Sequence, residues 1–474
     1  MPMLRFRPRA LSIGQAAALL PVLWLLACST LPPDEETPAI AGAGFAAESV
    51  GYLLFDLESG TNLAGLQQDR PFVPASVTKV PTVAAALAAL GPDHRFATTL
   101  HGTGPLRGGT LEGDLILKGG GDPSLTTAGL MDLAGQLRTL GLTRITGRFL
   151  FDTTTLPEVP EIDPAQPRTA GYNTGVGALS VNYNRVQRVR TRGRSGEPGV
   201  EHWSLSDAGR HRLDRATLDH ADLDDPSLSG PDSADAAKPV WLPVRRPGPV
   251  AAALFRQVAA EAGIALPAPA AGLTPPEAAL LARHDSAPLV DLSRDLLRYS
   301  NNLSAELIGL GAARGIDPML DLRSDPLGRS AALLSSRLMV SAGPVDWQGF
   351  VLANHSGLTT MSRMTPRQTA ALLRAGGPAL WDLLPGEDEG RAPVPGTRAK
   401  SGTLAYAKAL AGTLEAASGR RLGFALFIGD EAARRAFDAA MDRSRPDMPP
   451  EARAWIARAR ALQAELLALW ARRY

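Results

Sequence analysis

Cysteine is all but absent: this chain of 474 residues has one, Cys28, so neither an intrachain disulfide nor a cysteine metal cluster can form. Histidine is scarce as well. The seven in the chain are scattered and no His-Glu-x-x-His pair occurs, which leaves a zinc peptidase without its ligand set. An excess of either charge is also lacking, with 49 Lys and Arg against 48 Asp and Glu. A nucleic-acid partner would call for a basic surface to meet its phosphates, so the balance argues against one. The glycine run Gly119–Gly121 lacks the Gly-Lys-Ser/Thr that would make it a phosphate cradle, and reads as a turn. No internal repeat of fixed period is present.

The chain also lacks an apolar run long enough to span a bilayer comfortably. Its longest, Ala16 to Ala27, follows Arg5, Arg7 and Arg9 and reads as a signal peptide, so the protein is expected to be exported. Leu25-Leu26-Ala27-Cys28 resembles a bacterial lipoprotein processing site, which implies lipidation of Cys28 and a periplasmic protein tethered to a membrane. Ser29 to Ala43, rich in Pro, Thr, Glu and Ala, reads as a flexible tether.

The length exceeds one ordinary hydrophobic core and suggests two to four domains. Ordered sequence begins near Ser49, where Gly51–Leu57, Glu58-Ser59-Gly60 and a second short run give a hairpin signal. Thr82 to Leu90 reads as a helix ending at Gly91-Pro92, with Pro81 expected to bend its second turn. From Ala97 to about Pro247, short runs alternate with Gly, Pro and Asp turns, as in a mostly β insertion; the polar tract Leu213 to Lys238 reads as a solvated loop, without the spacing of a calcium loop. Helical periodicity returns at Val250 to Ala262 and Leu289 to Leu310, and Lys408 to Ala416 and Arg421 to Gly429 read as strands. The closing helix, Pro450 to Tyr474, carries Trp455, Ile456, Leu462, Leu466, Leu469 and Trp470 on one side and is expected to dock on a core sheet.

Chemistry enters with Pro74-Ala75-Ser76-Val77-Thr78-Lys79. A serine hydroxyl needs a base to become a nucleophile, and an i,i+3 spacing at a helix start puts an amine on the hydroxyl's face. Alone, such a tetrad is common. Here Ser300-Asn301-Asn302 follows far downstream and Lys400-Ser401-Gly402-Thr403 leads into the last strands. Their order and type resemble the triplet of the active-site-serine penicillin-recognising enzymes.

Further stretches narrow the resemblance: Leu111–Leu115, Gly119–Leu125, Tyr172-Asn173, Ala178–Asn184 and Ser356-Gly357-Leu358. With them, the chain from about Ser49 to Asp430 resembles the D-alanyl-D-alanine carboxypeptidase/endopeptidase family, the low-molecular-mass class C penicillin-binding proteins. The long separation of Ser76 from Ser300 suits that family's insertion rather than a β-lactamase. The resemblance implies an α+β fold: a DD-peptidase-like domain of antiparallel sheet flanked by helices, with mostly β inserted domains. The implied division is signal 1–28, tether 29–44, catalytic domain 45–96 with 287–474, inserted domain II 97–120 with 206–286, and inserted domain III 121–205.

The resemblance also implies roles. Ser76 is the nucleophile and Lys79 its base; Ser300 transfers a proton, Asn302 holds substrate and helps place Lys79, and Lys400 lowers the pKa of Lys79. Ser401, Gly402 and Thr403 form the substrate-binding edge, with the backbone amides of Ser76 and Thr403 as oxyanion hole. No cofactor or metal is implied; the partners are peptidoglycan stem peptides, with β-lactams as covalent inhibitors. Two departures stand out. Asn354-His355 precedes Ser356 where that family has an acidic residue and a glycine, and Glu387 to Thr397 is short. A β-lactamase, or a non-catalytic peptidoglycan-binding protein on this fold, are the alternatives.

Overall fold

Val50–Asp56 is apolar in nearly every position, the pattern of a strand covered on both faces. In the computed structural model, which describes residues 35–192, 198–206, 209–214, 240–389, 393–444 and 448–474, it is the fourth strand of a five-stranded sheet. The order is Thr397–Leu404, Ala407–Glu415, Arg421–Gly429, Val50–Asp56, Asn62–Leu66, antiparallel throughout. Alternation sorts its side chains. Leu53, Phe55, Ala425 and Phe427 pack under the helices Lys79–Leu90, Leu289–Tyr299, Asn302–Ile316, Pro326–Ser341 and Pro366–Trp381. Val50, Tyr52, Leu54, Phe424 and Leu426 pack on the other side against the closing helix Pro450–Arg473, whose apolar stripe docks there as its periodicity predicts.

Part of the expected tether is ordered. Glu36–Gly42 is a helix with Ile40 in the core. Arg473 Nη1 donates to both oxygens of Glu36, at 2.7 and 2.8 Å, and Trp470 Nε1 donates to Oε1 at 3.1 Å. The anchor is a buried ion pair contributed from the far end of the chain, which composition alone does not reveal. Pro81 does not bend its helix either. A 3-10 turn, Ala75–Thr78, precedes the α-helix, so Pro81 falls in its first turn, where a missing N–H costs nothing.

The insertion holds a five-stranded sheet in the order Pro269–Ala271, Phe149–Asp152, Leu115–Lys118, Ala97–Gly102, Ala279–Asp285, and a four-stranded sheet from Arg185–Arg192, Pro198–Ser206, Gly209–Arg212 and Val240–Pro243. Sheet membership does not follow the expected partition: Phe149–Asp152, assigned to domain III, pairs with Leu115–Lys118 of domain II. The helix Thr127–Thr139 was also missed, although Leu130, Leu133, Ala134 and Leu137 carry its spacing and are buried. Residues 36–474 form one unit. Cys28 with the whole segment 1–34, and 215–238 of the polar tract, lie outside the described residues. Among the described residues no helix is long and apolar enough to cross a membrane.

Candidate active site

The nucleophile turn is built by close approach of three backbones. Ala75 adopts φ +46°, a left-handed conformation that costs roughly 1 kcal/mol or more for a residue with a side chain. Gly357, itself at φ +73°, lies so near that a Cβ on it would meet the carbonyl of Ala75 at 1.9 Å. From the other side, a Cβ on Gly402 would stand 2.4 Å from the Pro74 carbonyl and 3.1 Å from the Ser76 amide. Only glycine lets the strand Thr397–Leu404 lie this close to Ser76.

Lys79 is fully buried, and its side-chain nitrogen has three partners. Nζ lies 3.0 Å from Ser76 Oγ, 2.8 Å from Asn302 Oδ1 and 2.6 Å from the Ser356 carbonyl. Asn302 Oδ1 and the Ser356 carbonyl only accept, so a neutral amine spends its two hydrogens on them and turns its lone pair to Ser76. Burial holds the lysine well below its ordinary pKa; Lys400 pushes it further down and Glu306 opposes. The geometry therefore suits proton removal from Ser76.

Ser300 and Asn302 stand at the joint between two helices. Ser300, at φ +58°, closes Leu289–Tyr299, and Asn301 caps Asn302–Ile316 by accepting from the Ser304 amide at 3.0 Å. Asn302 Nδ2 donates to the Tyr172 carbonyl at 3.1 Å, tying the insertion to the site. Ser300 is not among the hydrogen-bond partners of Lys79, which are Ser76, Asn302 and Ser356. Ser300 instead shares a cavity of about 530 Å³ with Ser76, Asn302, Thr403, Tyr172 and Arg434. Lys400 is buried, with Nζ donating to the Ser401 carbonyl at 2.9 Å, while the side chains of Ser401 and Thr403 are exposed along the strand.

Glu306 escaped the sequence reading. It lies one helical turn beyond Asn302 and is fully buried, with its carboxylate accepting from the amides of Ser356 at 2.8 Å and His355 at 3.1 Å. Burial raises its pKa, against the pull of those bonds and of Lys79. Through this turn it fixes the Ser356 carbonyl on Lys79. An acid at i+4 from the motif asparagine, set in the apolar run Leu303 to Leu310, was the available signal. His355 is enclosed as well: Gly309 leaves the room its ring occupies, Ser330 Oγ lies 2.8 Å from Nε2, and burial lowers it to about 3. It is a neutral packing residue. The residues Gly119–Gly121 make a tight turn at φ +81° for Gly121, beyond which the Pro123 carbonyl accepts from Ser304 Oγ at 3.3 Å.

A helix-borne serine, a buried lysine of lowered pKa beside it and a strand edge at the serine define an active-site-serine acyl-transfer enzyme. The profile of the D-Ala-D-Ala carboxypeptidase 3 (S13) family matches residues 39–447, and the chain belongs to that family. It is 27% identical over 375 residues to a D-alanyl-D-alanine carboxypeptidase of Actinomadura sp. (strain R39), covering 73% of this chain and 67% of that protein. It is 28% identical over 421 residues to a carboxypeptidase of Mycobacterium tuberculosis, 81% of this chain and 77% of the relative. Penicillin binding protein 4 from Haemophilus influenzae shares the fold, with a TM-score of 0.69 at 20% identity over 92% of this chain and 99% of that one; a second structure of it holds a β-lactam, at a TM-score of 0.64 and 21% identity over 88% and 96%.

Proposed function

We propose that Ser76 attacks the carbonyl of the D-alanyl-D-alanine bond at the end of a peptidoglycan stem peptide, and that the enzyme turns over through an acyl-serine. As a member of its family the protein is a serine-type D-Ala-D-Ala carboxypeptidase, a hydrolase, and the reading extends to stem-peptide ends, to cross-links as an endopeptidase, or to both. The Ser76 proton passes to neutral Lys79 as the C–O bond forms. The tetrahedral oxyanion is held by the amides of Ser76 and Thr403, each donor being worth about 3 to 4 kcal/mol in such sites. Ser300 hands its proton to the departing amine and takes up in its place the proton that Lys79 received, the C–N bond breaks and D-alanine, or the second stem of a cross-link, leaves, with Lys79 neutral again. Water then hydrolyses the acyl-serine. Ser401 and Thr403 hydroxyls, beside Lys400, anchor the substrate carboxylate. A β-lactam offers the same carbonyl and carboxylate, so it acylates Ser76 in place of substrate.

One observation carries this reading: Lys79 Nζ, fully buried, sits 3.0 Å from Ser76 Oγ with both other partners acceptors only. The basic and apolar start of the chain supports export to the periplasm, and Cys28 supports a lipid tether there. The test is covalent labelling by a fluorescent penicillin together with D-alanine release from a pentapeptide. Wild type is expected to do both and Ser76→Ala neither; labelling of the alanine variant at the wild-type rate would remove Ser76 from its role.

A further inference from the structure

Lys408 belongs to none of the three motifs, yet it lies one strand in from the substrate edge. Sheet register sets it opposite Thr403 on one side and Ile428 on the other. Its neighbours along that face, Leu410 and Leu414, pack under the closing helix. A lysine there is costly to bury, and at 4% exposure this one is nearly enclosed. Its ammonium is directed to one atom: Nζ donates to Thr403 Oγ1 at 2.7 Å. Alternation along Thr397–Leu404 puts Ser401 and Thr403 on this face and Lys400 on the other.

We propose that Lys408 is a positioning residue for the substrate carboxylate, acting through Thr403. A hydroxyl has one proton and two lone pairs. With the ammonium bound to a lone pair, the proton of Thr403 has no acceptor in Lys408 and points into the cavity, where it meets a carboxylate with a buried positive charge behind it. A neutral Lys408 amine would instead accept that proton and turn the hydroxyl inward. The inference rests on reading Ser401 and Thr403 as the carboxylate anchor.

The sign of the pH dependence follows. Burial, with Arg460 of the closing helix, brings Lys408 down to about 8. Arg460 is the charge that acts on it from the closing helix, and the adjoining strands present Ser401 and Thr403 on one side and Leu426 and Ile428 on the other. Below about 8 the ammonium holds Thr403 outward. As pH rises through that value the hydroxyl turns and the charge is lost, so binding of carboxylate-bearing acyl donors weakens.

Lys408→Met keeps the length and removes the charge; Lys408→Arg keeps the charge. D-alanine release from a pentapeptide, and acylation by benzylpenicillin and by its methyl ester, are followed between pH 6 and 9.5. For Lys408→Met, KM is expected to rise about tenfold with kcat within about twofold, the loss of one charge-assisted hydrogen bond. The preference for the free acid over the ester falls by a similar factor and the alkaline weakening near 8 disappears. Lys408→Arg restores the preference and moves the weakening to higher pH. A folded methionine variant with unchanged KM and preference, or one that loses acid and ester equally, overturns the inference. Should the methionine variant not fold, Thr403→Val serves: an alkaline weakening that persists in it overturns the proposal, and its disappearance supports it. Wild type that releases no D-alanine overturns the underlying anchor, whereas active wild type with an indifferent methionine variant overturns the role of Lys408 alone.

Discussion

Replacing Gly402 by alanine tests the nucleophile's surroundings with one methyl group. The added Cβ would stand 2.4 Å from the Pro74 carbonyl oxygen and 3.1 Å from the Ser76 amide nitrogen, both backbone atoms with no rotamer to change. Relief to an ordinary C···O separation of about 3.3 Å requires the strand and the nucleophile turn to part by about 0.9 Å. Thr403, the next residue, moves with the strand. Oxyanion donors act at about 2.7 to 3.1 Å, and a misplacement of about 1 Å costs on the order of 100-fold. Gly402→Ala is therefore expected to lower both penicillin acylation and D-alanine release about 100-fold, or about 3 kcal/mol in activation free energy. The overpacking costs about 1 to 3 kcal/mol of stability, which leaves a folded protein. Gly135→Ala is the control: its helix position has open space around the added Cβ, so activity should be untouched and stability slightly raised. Stopped-flow acylation with thermal unfolding decides it. A Gly402→Ala enzyme that acylates within threefold of wild type would show that the strand's close approach to Ser76 has no catalytic consequence.

Two further outcomes follow from the same geometry. Glu306→Gln removes the carboxylate charge that raises the pKa of Lys79, so the rise of acylation with pH, which follows proton loss from Lys79, moves to lower pH. Its amide has one oxygen for the two N–H groups of His355 and Ser356, so the plateau rate also falls about tenfold; a rise that moved to higher pH would contradict this account. Gly309→Ala drives a methyl to 2.1 Å from the buried ring of His355, and denaturant unfolding should show a loss of about 2 to 3 kcal/mol. Unchanged stability would mean that the ring has room to move.

The elements that sequence reading found were those whose signal is local. The alternating and continuous apolar runs around Tyr52, Leu410 and Phe424 marked the sheet, and the stripe from Trp455 to Trp470 marked the helix behind it. Glu36–Gly42 failed for the opposite reason: seven residues of ordinary composition are held by Arg473 and Trp470, more than 400 residues away. Strand pairing between Phe149–Asp152 and Leu115–Lys118 was out of reach for the same reason, since it leaves no mark in either segment.

Sequence by itself supplied the proposed catalytic inventory, Ser76, Lys79, Ser300, Asn302, Lys400 and Thr403, because the three motifs that carry these residues resemble a known triplet in type and order along the chain. Tertiary structure decided how they are tuned. The burial of Lys79 with Asn302 and Ser356 as acceptors and the Glu306 carboxylate that fixes the Ser356 turn join segments far apart in sequence, and the Lys408 ammonium on Thr403 is set by the register of two paired strands. Proton affinity and hydrogen-bond direction depend on distance and dielectric, quantities that exist only once the chain has folded.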